Sequence, residues 1–150
     1  QCSKIIYCFI IGIFKILPLR VELGLYLPFR LNLILKLMNL IEEFNEYRAK
    51  MNERILSEDN KVIKRFFNLD TNTYAEGELD VKTKEMIGLA CSMVLRCDDC
   101  IKYHLGKSFE AGVGRKEVFE VFSIAMIIGG SIVIPHLRRA VEYWEELENQ

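Results

Sequence analysis

The sequence predicts an all-α fold of six helices, and three observations carry that expectation. Apolar residues recur every three or four positions from Met38 onward. No segment sustains the alternation of a strand. The breaks between periodic stretches hold residues that start or stop helices, such as Asp80, Gly112 and the Gly129-Gly130 pair. At 150 residues, with 51% hydrophobic and 27% charged content, the chain suits one domain with a core of its own. A net charge of -1 provides no basic field, which argues against nucleic-acid binding.

The first helix is expected over Met38 to Ser57, where Leu40, Ile41, Phe44, Tyr47, Met51 and Ile55 share one face. Ser57 with Glu58 and Asp59 marks a stop and restart, and Val62, Ile63, Phe66, Phe67 and Leu69 give a second, shorter apolar face. Asp70 to Gly77 is polar and turn-like. Asp80 can cap a third helix toward Arg96, in which Met86, Ile87, Ala90, Met93 and Val94 keep the period. Cys97 with Asp98 and Asp99 opens a fourth helix, for which Gly112 and Gly114 offer a left-handed exit. From Arg115 to Ile128 nearly every face is apolar, more than a monomer of this size buries, so subunit contact is expected there. After the glycine pair, Ser131 and Pro135 mark the start of a last helix with Ile134, Leu137, Val141, Trp144 and Leu147 inward.

Residues 1–37 have a different character. They are rich in Ile, Leu, Phe and Tyr, hold six charged residues and are interrupted by Pro18 and Pro28. Their longest apolar run, Ile5 to Phe14, is ten residues, short of the roughly 18 needed to span a bilayer. No small-residue cleavage site follows it. With no initiator Met and amphipathic order starting at Met38, we expect a helical domain over 38–150 and an N-terminal segment lying outside the working protein. The competing expectation is a membrane-surface anchor. Five cysteines, Cys2, Cys8, Cys91, Cys97 and Cys100, are odd in number and irregular in spacing. That is a poor framework for a secreted, disulfide-stapled domain and suits a cytoplasmic, reducing setting.

Chemistry concentrates in Cys97-Asp98-Asp99-Cys100-Ile101-Lys102-Tyr103-His104. On a helix, positions 97, 100 and 104 fall within roughly a 60° arc, so both sulfurs and the imidazole face one way. A cysteine pair at a helix N-terminus suits reversible disulfide formation, because free backbone N–H groups and the helix dipole favour a thiolate. His104, one turn on, is placed to take the thiol proton and return it to a leaving oxygen. Glu85, on the preceding helix, is the carboxylate chosen to orient that imidazole, since an antiparallel helix pair would bring it back against the Cys-His face.

Read as Glu-x11-Cys-x2-Cys-x3-His, these residues resemble the AhpD-like branch of the carboxymuconolactone decarboxylase family, over about residues 38–148. The resemblance implies an all-helical trimer or hexamer and a cofactor-independent alkylhydroperoxidase. In it Cys100 would be attacked by peroxide, Cys97 would resolve it, and His104 and Glu85 would relay protons. A dithiol partner, a lipoyl domain or a thioredoxin-like protein, would re-reduce the disulfide. The family's decarboxylases lack the cysteine pair, so the lactone reaction is not the one expected. One departure stands out: Asp98 and Asp99 lie where the peroxidase pattern has a histidine between the cysteines. Two carboxylates beside a thiolate oppose its formation, so slow peroxide turnover is expected.

The alternative is a non-enzymatic helical oligomerisation module or a zinc site of Cys97, Cys100 and His104, with Glu85 or His136 as fourth ligand. Of the remaining candidates, Cys91 reads as a core thiol among apolar neighbours and His136 as a structural or exposed histidine. Arg138 and Arg139 read as surface or interface charges, and Tyr143 with Trp144 as packing.

Overall fold

The helical periods become six helices and a short 3-10 turn within residues 40–150, the part of the chain described in the computed structural model. The expectations for residues 1–37, and the start of the first helix at Met38, lie outside the described residues. In order, the helices are α1 (Leu40–Ser57), α2 (Lys61–Thr73), α3 (Val81–Leu95), α4 (Asp98–Glu110), α5 (Arg115–Gly129) and α6 (Ile134–Glu148), with the 3-10 turn Ser131–Val133 before α6. Among the described residues there is no strand.

Capping explains most of the boundaries. Asp80 takes the N–H of Thr83 at 2.7 Å and starts α3, and Arg96 ends it in the left-handed region at φ 61°. Cys97 is the N-cap of α4. Pro135 lies in the first turn of α6, where its missing N–H costs nothing. The stop at Ser57 and the restart after it are as expected, and the new helix is capped by Asn60, whose side chain accepts from Val62 and Ile63. Two expectations need correcting. Asp70 to Thr73 are helical rather than turn-like: α2 continues through Thr73, where the Thr71 and Thr73 hydroxyls bond back to the carbonyls of Phe67 and Leu69. Only Gly112 takes the left-handed exit, at φ 76°; Gly114 is instead the N-cap of α5, with the Glu117 carboxylate accepting its N–H at 2.8 Å.

Helix α3 packs on both α4 and α5, α4 packs on α6, and α1 lies against α6. The core between them holds Leu89 and Met93 of α3, Leu105 of α4, Phe122 of α5 and Trp144 of α6. Each such side chain gives roughly 1.5–3 kcal/mol through removal from water. Aromatic edges lock the outer contacts, Phe44 on Tyr143 across α1 and α6, and Phe109 on Trp144 across α4 and α6. Burial pushes the Tyr143 hydroxyl up to about 12.

Two surfaces depart from this economy. Helix α2 has no buried residue, and Val62, Phe66 and Leu69 are exposed along it. Helix α5 buries Val118, Val121, Phe122 and Ala125 but leaves Ile124, Ile127 and Ile128 exposed. Cys91, expected in the core, is exposed, because its position on α3 turns away from the α4 and α5 contacts that bury Leu89 and Met93. No helix among the described residues is long and apolar enough to cross a membrane.

Candidate active site

Helix α4 begins at a sulfur. As N-cap, Cys97 turns its Sγ back over the first turn, where it accepts the Cys100 N–H at 3.3 Å. Cys97 and Cys100 are joined as a disulfide with Cα atoms 5.3 Å apart. Cys97 is half-buried, whereas Cys100 is exposed. The short link from Leu95 through the left-handed Arg96 reverses the chain, so α3 and α4 run back along one another. That reversal brings Glu85 to His104, with Oε2 at 2.7 Å from Nδ1. The Glu85 side chain is 3% exposed and that of His104 10%.

The imidazole is fixed from three sides. Tyr74 and Tyr103 flank its ring, with centroids at 5.1 and 5.2 Å. Gly88 leaves the third side open: a Cβ there would meet His104 Cε1 at 2.6 Å and Tyr74 Oη at 2.7 Å. Burial, and then the neighbouring Glu85 carboxylate, raise the Tyr74 hydroxyl above its ordinary 10.0, so it stays protonated at neutral pH.

Cys100 and His104 open onto one cleft of about 310 Å³. It is also lined by Phe44, Arg48 and Met51 of α1, by Asp70 of α2 and by Asp99 of α4. The Arg48 guanidinium lies over the Tyr103 ring at 4.1 Å. Cys97 and Glu85 do not line the cleft; they stand behind Cys100 and His104.

Sequence reasoning missed several of these residues. Tyr74, Gly88 and Arg48 carry no motif of their own, and only packing brings them to the imidazole or the cleft. Arg139 is a surface charge as expected, and it also holds Asp98, with Nε to Oδ1 at 3.1 Å and Nη2 to Oδ2 at 2.9 Å. His136 Nδ1 lies 2.8 Å from the same Oδ1. Burial raises the Asp98 carboxyl, but hydrogen bonds and charge from His136 and Arg139 outweigh it and hold it below its ordinary 3.8. Among the described residues, no group of three or more His, Cys, Asp or Glu side chains is arranged to hold a metal ion.

Comparison with known proteins agrees with this architecture. An uncharacterised protein of Cupriavidus necator is 28% identical over 72 residues, 48% of this chain and 64% of that relative, so the chain spans less than two thirds of its length. An uncharacterised protein of the cox locus of Paracoccus denitrificans is 25% identical over 83 residues, 55% of this chain and 75% of the relative. A Thermotoga maritima crystal structure, of a carboxymuconolactone decarboxylase family protein linked as a possibility to an antioxidative response, superposes with TM-score 0.69 at 54% identity. That match covers 71% of this chain and 91% of the other. A Legionella pneumophila member of the same family, at 24% identity, shares the fold with TM-score 0.66 over 71% of this chain and 96% of its own. The carboxymuconolactone decarboxylase family model matches residues 60–143, from the start of α2 to the core face of α6, and this chain belongs to that family.

Proposed function

We propose that this protein is a thiol-dependent peroxidase of the AhpD-like kind, which reduces organic hydroperoxides at Cys100 and is regenerated by a dithiol. The observation that carries the reading is a disulfide whose exposed sulfur shares a cleft with a histidine tied to a buried glutamate. With Nδ1 of His104 committed to Glu85, Nε2 is the nitrogen left to exchange protons with the cleft. In the reduced protein it takes the Cys100 proton, and the thiolate attacks the peroxide. The O–O bond breaks, a sulfenic acid forms on Cys100, and the alkoxide leaves as alcohol with the proton from His104. Cys97 then attacks the Cys100 sulfur, the disulfide forms and water leaves.

Regeneration follows from the same geometry. A dithiol attacks the exposed Cys100 sulfur, and Cys97 leaves as a thiolate that the Cys100 N–H and the α4 N-terminus stabilise. The donor's second thiol closes its own disulfide and frees Cys100. The sum is one hydroperoxide and one dithiol giving alcohol, water and one disulfide. A lipoyl or thioredoxin-like protein in a cytoplasmic setting would supply that dithiol. The uncovered apolar faces of α2 and α5 support assembly of the chain into a trimer or hexamer.

The test is intact mass and free-thiol count of the reduced chain before and after one equivalent of organic hydroperoxide. We expect loss of two thiols, mapped to Cys97 and Cys100, and no catalytic peroxide consumption by Cys100→Ser. A Cys100→Ser variant that consumes peroxide as fast as the parent would overturn the assignment.

A further inference from the structure

The two carboxylates between the cysteines are not equivalent in three dimensions. Asp99 is exposed and lines the cleft, whereas Asp98 points to α6 and is gripped there. His136 and Arg139 are three residues apart on α6, hence on one face, and Pro135 fixes where that helix starts. Arg139 holds both oxygens of Asp98, and His136 adds a contact at 2.8 Å to Oδ1. His136 Nδ1 also lies 2.9 Å from Arg139 Nη2. One nitrogen cannot donate to Asp98 and accept from Arg139 at once. Protonated at Nδ1 it donates to the carboxylate; in the other tautomer it accepts from the guanidinium. In either arrangement Arg139 keeps its own contacts to both oxygens of Asp98.

Resting on the dithiol reading above, we propose that Arg139, with His136, is a positioning residue that pins the Cys97–Cys100 turn to α6 through Asp98 and cancels that carboxylate's repulsion of the thiolate. Asp98 is next in chain to Cys97 and two residues from Cys100, so an unpaired charge there would oppose ionisation of either sulfur. The other charges around the pair are Asp99 on α4, Arg96 at the end of α3, Glu85 behind His104, and Arg48 with Asp70 in the cleft lining. Among the described residues, the contacts to the Asp98 carboxylate come from His136 and Arg139 of α6. The Asp98 part of the sequence departure that argues for sluggish thiols is thereby compensated from a helix that supplies no reacting group, while Asp99 still faces the cleft.

The experiment is the pH dependence of alkylation at Cys97 and Cys100 in the reduced full-length chain, followed site by site by mass spectrometry. Arg139→Gln should move the apparent thiol pKa upward by roughly one unit, and Arg139→Lys should restore most of the parent value. Asp98→Asn should move it downward, and Asp98→Asn with Arg139→Gln should return it near the parent. A purely architectural contact would alter melting temperature without this pattern of charge rescue. An unchanged thiol pKa in Arg139→Gln, or a double variant as displaced as that single one, would overturn the proposal. If Arg139→Gln fails to fold, the comparison of Asp98→Asn with the double variant decides the matter: equal thiol pKa values in those two would show that Arg139 has no influence and overturn the proposal. Because alkylation reads the thiols directly, failure of the parent to react with hydroperoxide would sink the peroxidase reading and leave this result standing.

Discussion

Gly88 shows how a residue without a functional group can shape a site. The imidazole of His104 occupies the space a side chain would take, since an added Cβ would also approach Nδ1 at 2.9 Å. Gly88→Ala should push the ring off Glu85, cost about 1–3 kcal/mol of stability through overpacking and lower hydroperoxide turnover with the thiol count unchanged. Thermal melting beside a turnover assay checks this; a variant of parental activity would show that the ring position is not critical. At this scale the sequence was partly readable. Cys100 and His104 lie one turn apart on α4, so their opening onto one cleft follows from spacing, whereas Cys97 is the extended N-cap and stands outside that cleft. The Glu85–His104 pair and the Tyr74 and Gly88 surround depend on how α3 and α4 lie against each other, which no local pattern contains.

Among the elements, α4 depends on α6 at its first turn. The Asp98 carboxyl is held below its ordinary value, so the folded state gains stability that is fully present above pH 3.8 and is lost as the pH falls through the lower folded value. Asp98→Asn should therefore be less stable than the parent at neutral pH, with the gap closing in acid below that point. With the side chain 41% exposed, solvent screening limits the gap to on the order of 1 kcal/mol. Urea unfolding at neutral and acid pH measures it. A gap that stays constant in acid would assign the contact to shape rather than charge. Helix starts at Asp80 and Cys97 were legible because capping is a property of a few neighbouring residues. The extension of α2 through Thr73 was not, because Asp, Asn and Thr serve turns and helix ends alike, and only their observed hydrogen bonds distinguish the two.

For the molecule as a whole, the packing of α5 divides its apolar residues between a core and an open face. Ile127 is 89% and Ile128 67% exposed, and α2 presents Phe66 at 69%. Surfaces of this kind mark association, and we expect Ile127→Glu to shift the chain from oligomer to monomer while its helical content holds. Sedimentation with circular dichroism tests it. A monomeric parent, or a variant of unchanged mass, would remove α5 as the contact.

The sequence by itself determined the helical class, most of the helix boundaries and the placing of Cys100 and His104 on one face, because each depends on neighbours a turn or two apart. The Glu85–His104 contact was anticipated from the helix order and is realised by the α3–α4 packing, whereas tertiary structure alone drew Arg139 and His136 onto Asp98, left Cys91 outside the core and brought α1 to the cleft. Those contacts join residues 19 to 41 positions apart or further, and they follow from packing angles and buried side-chain shapes, which chain periodicity does not encode.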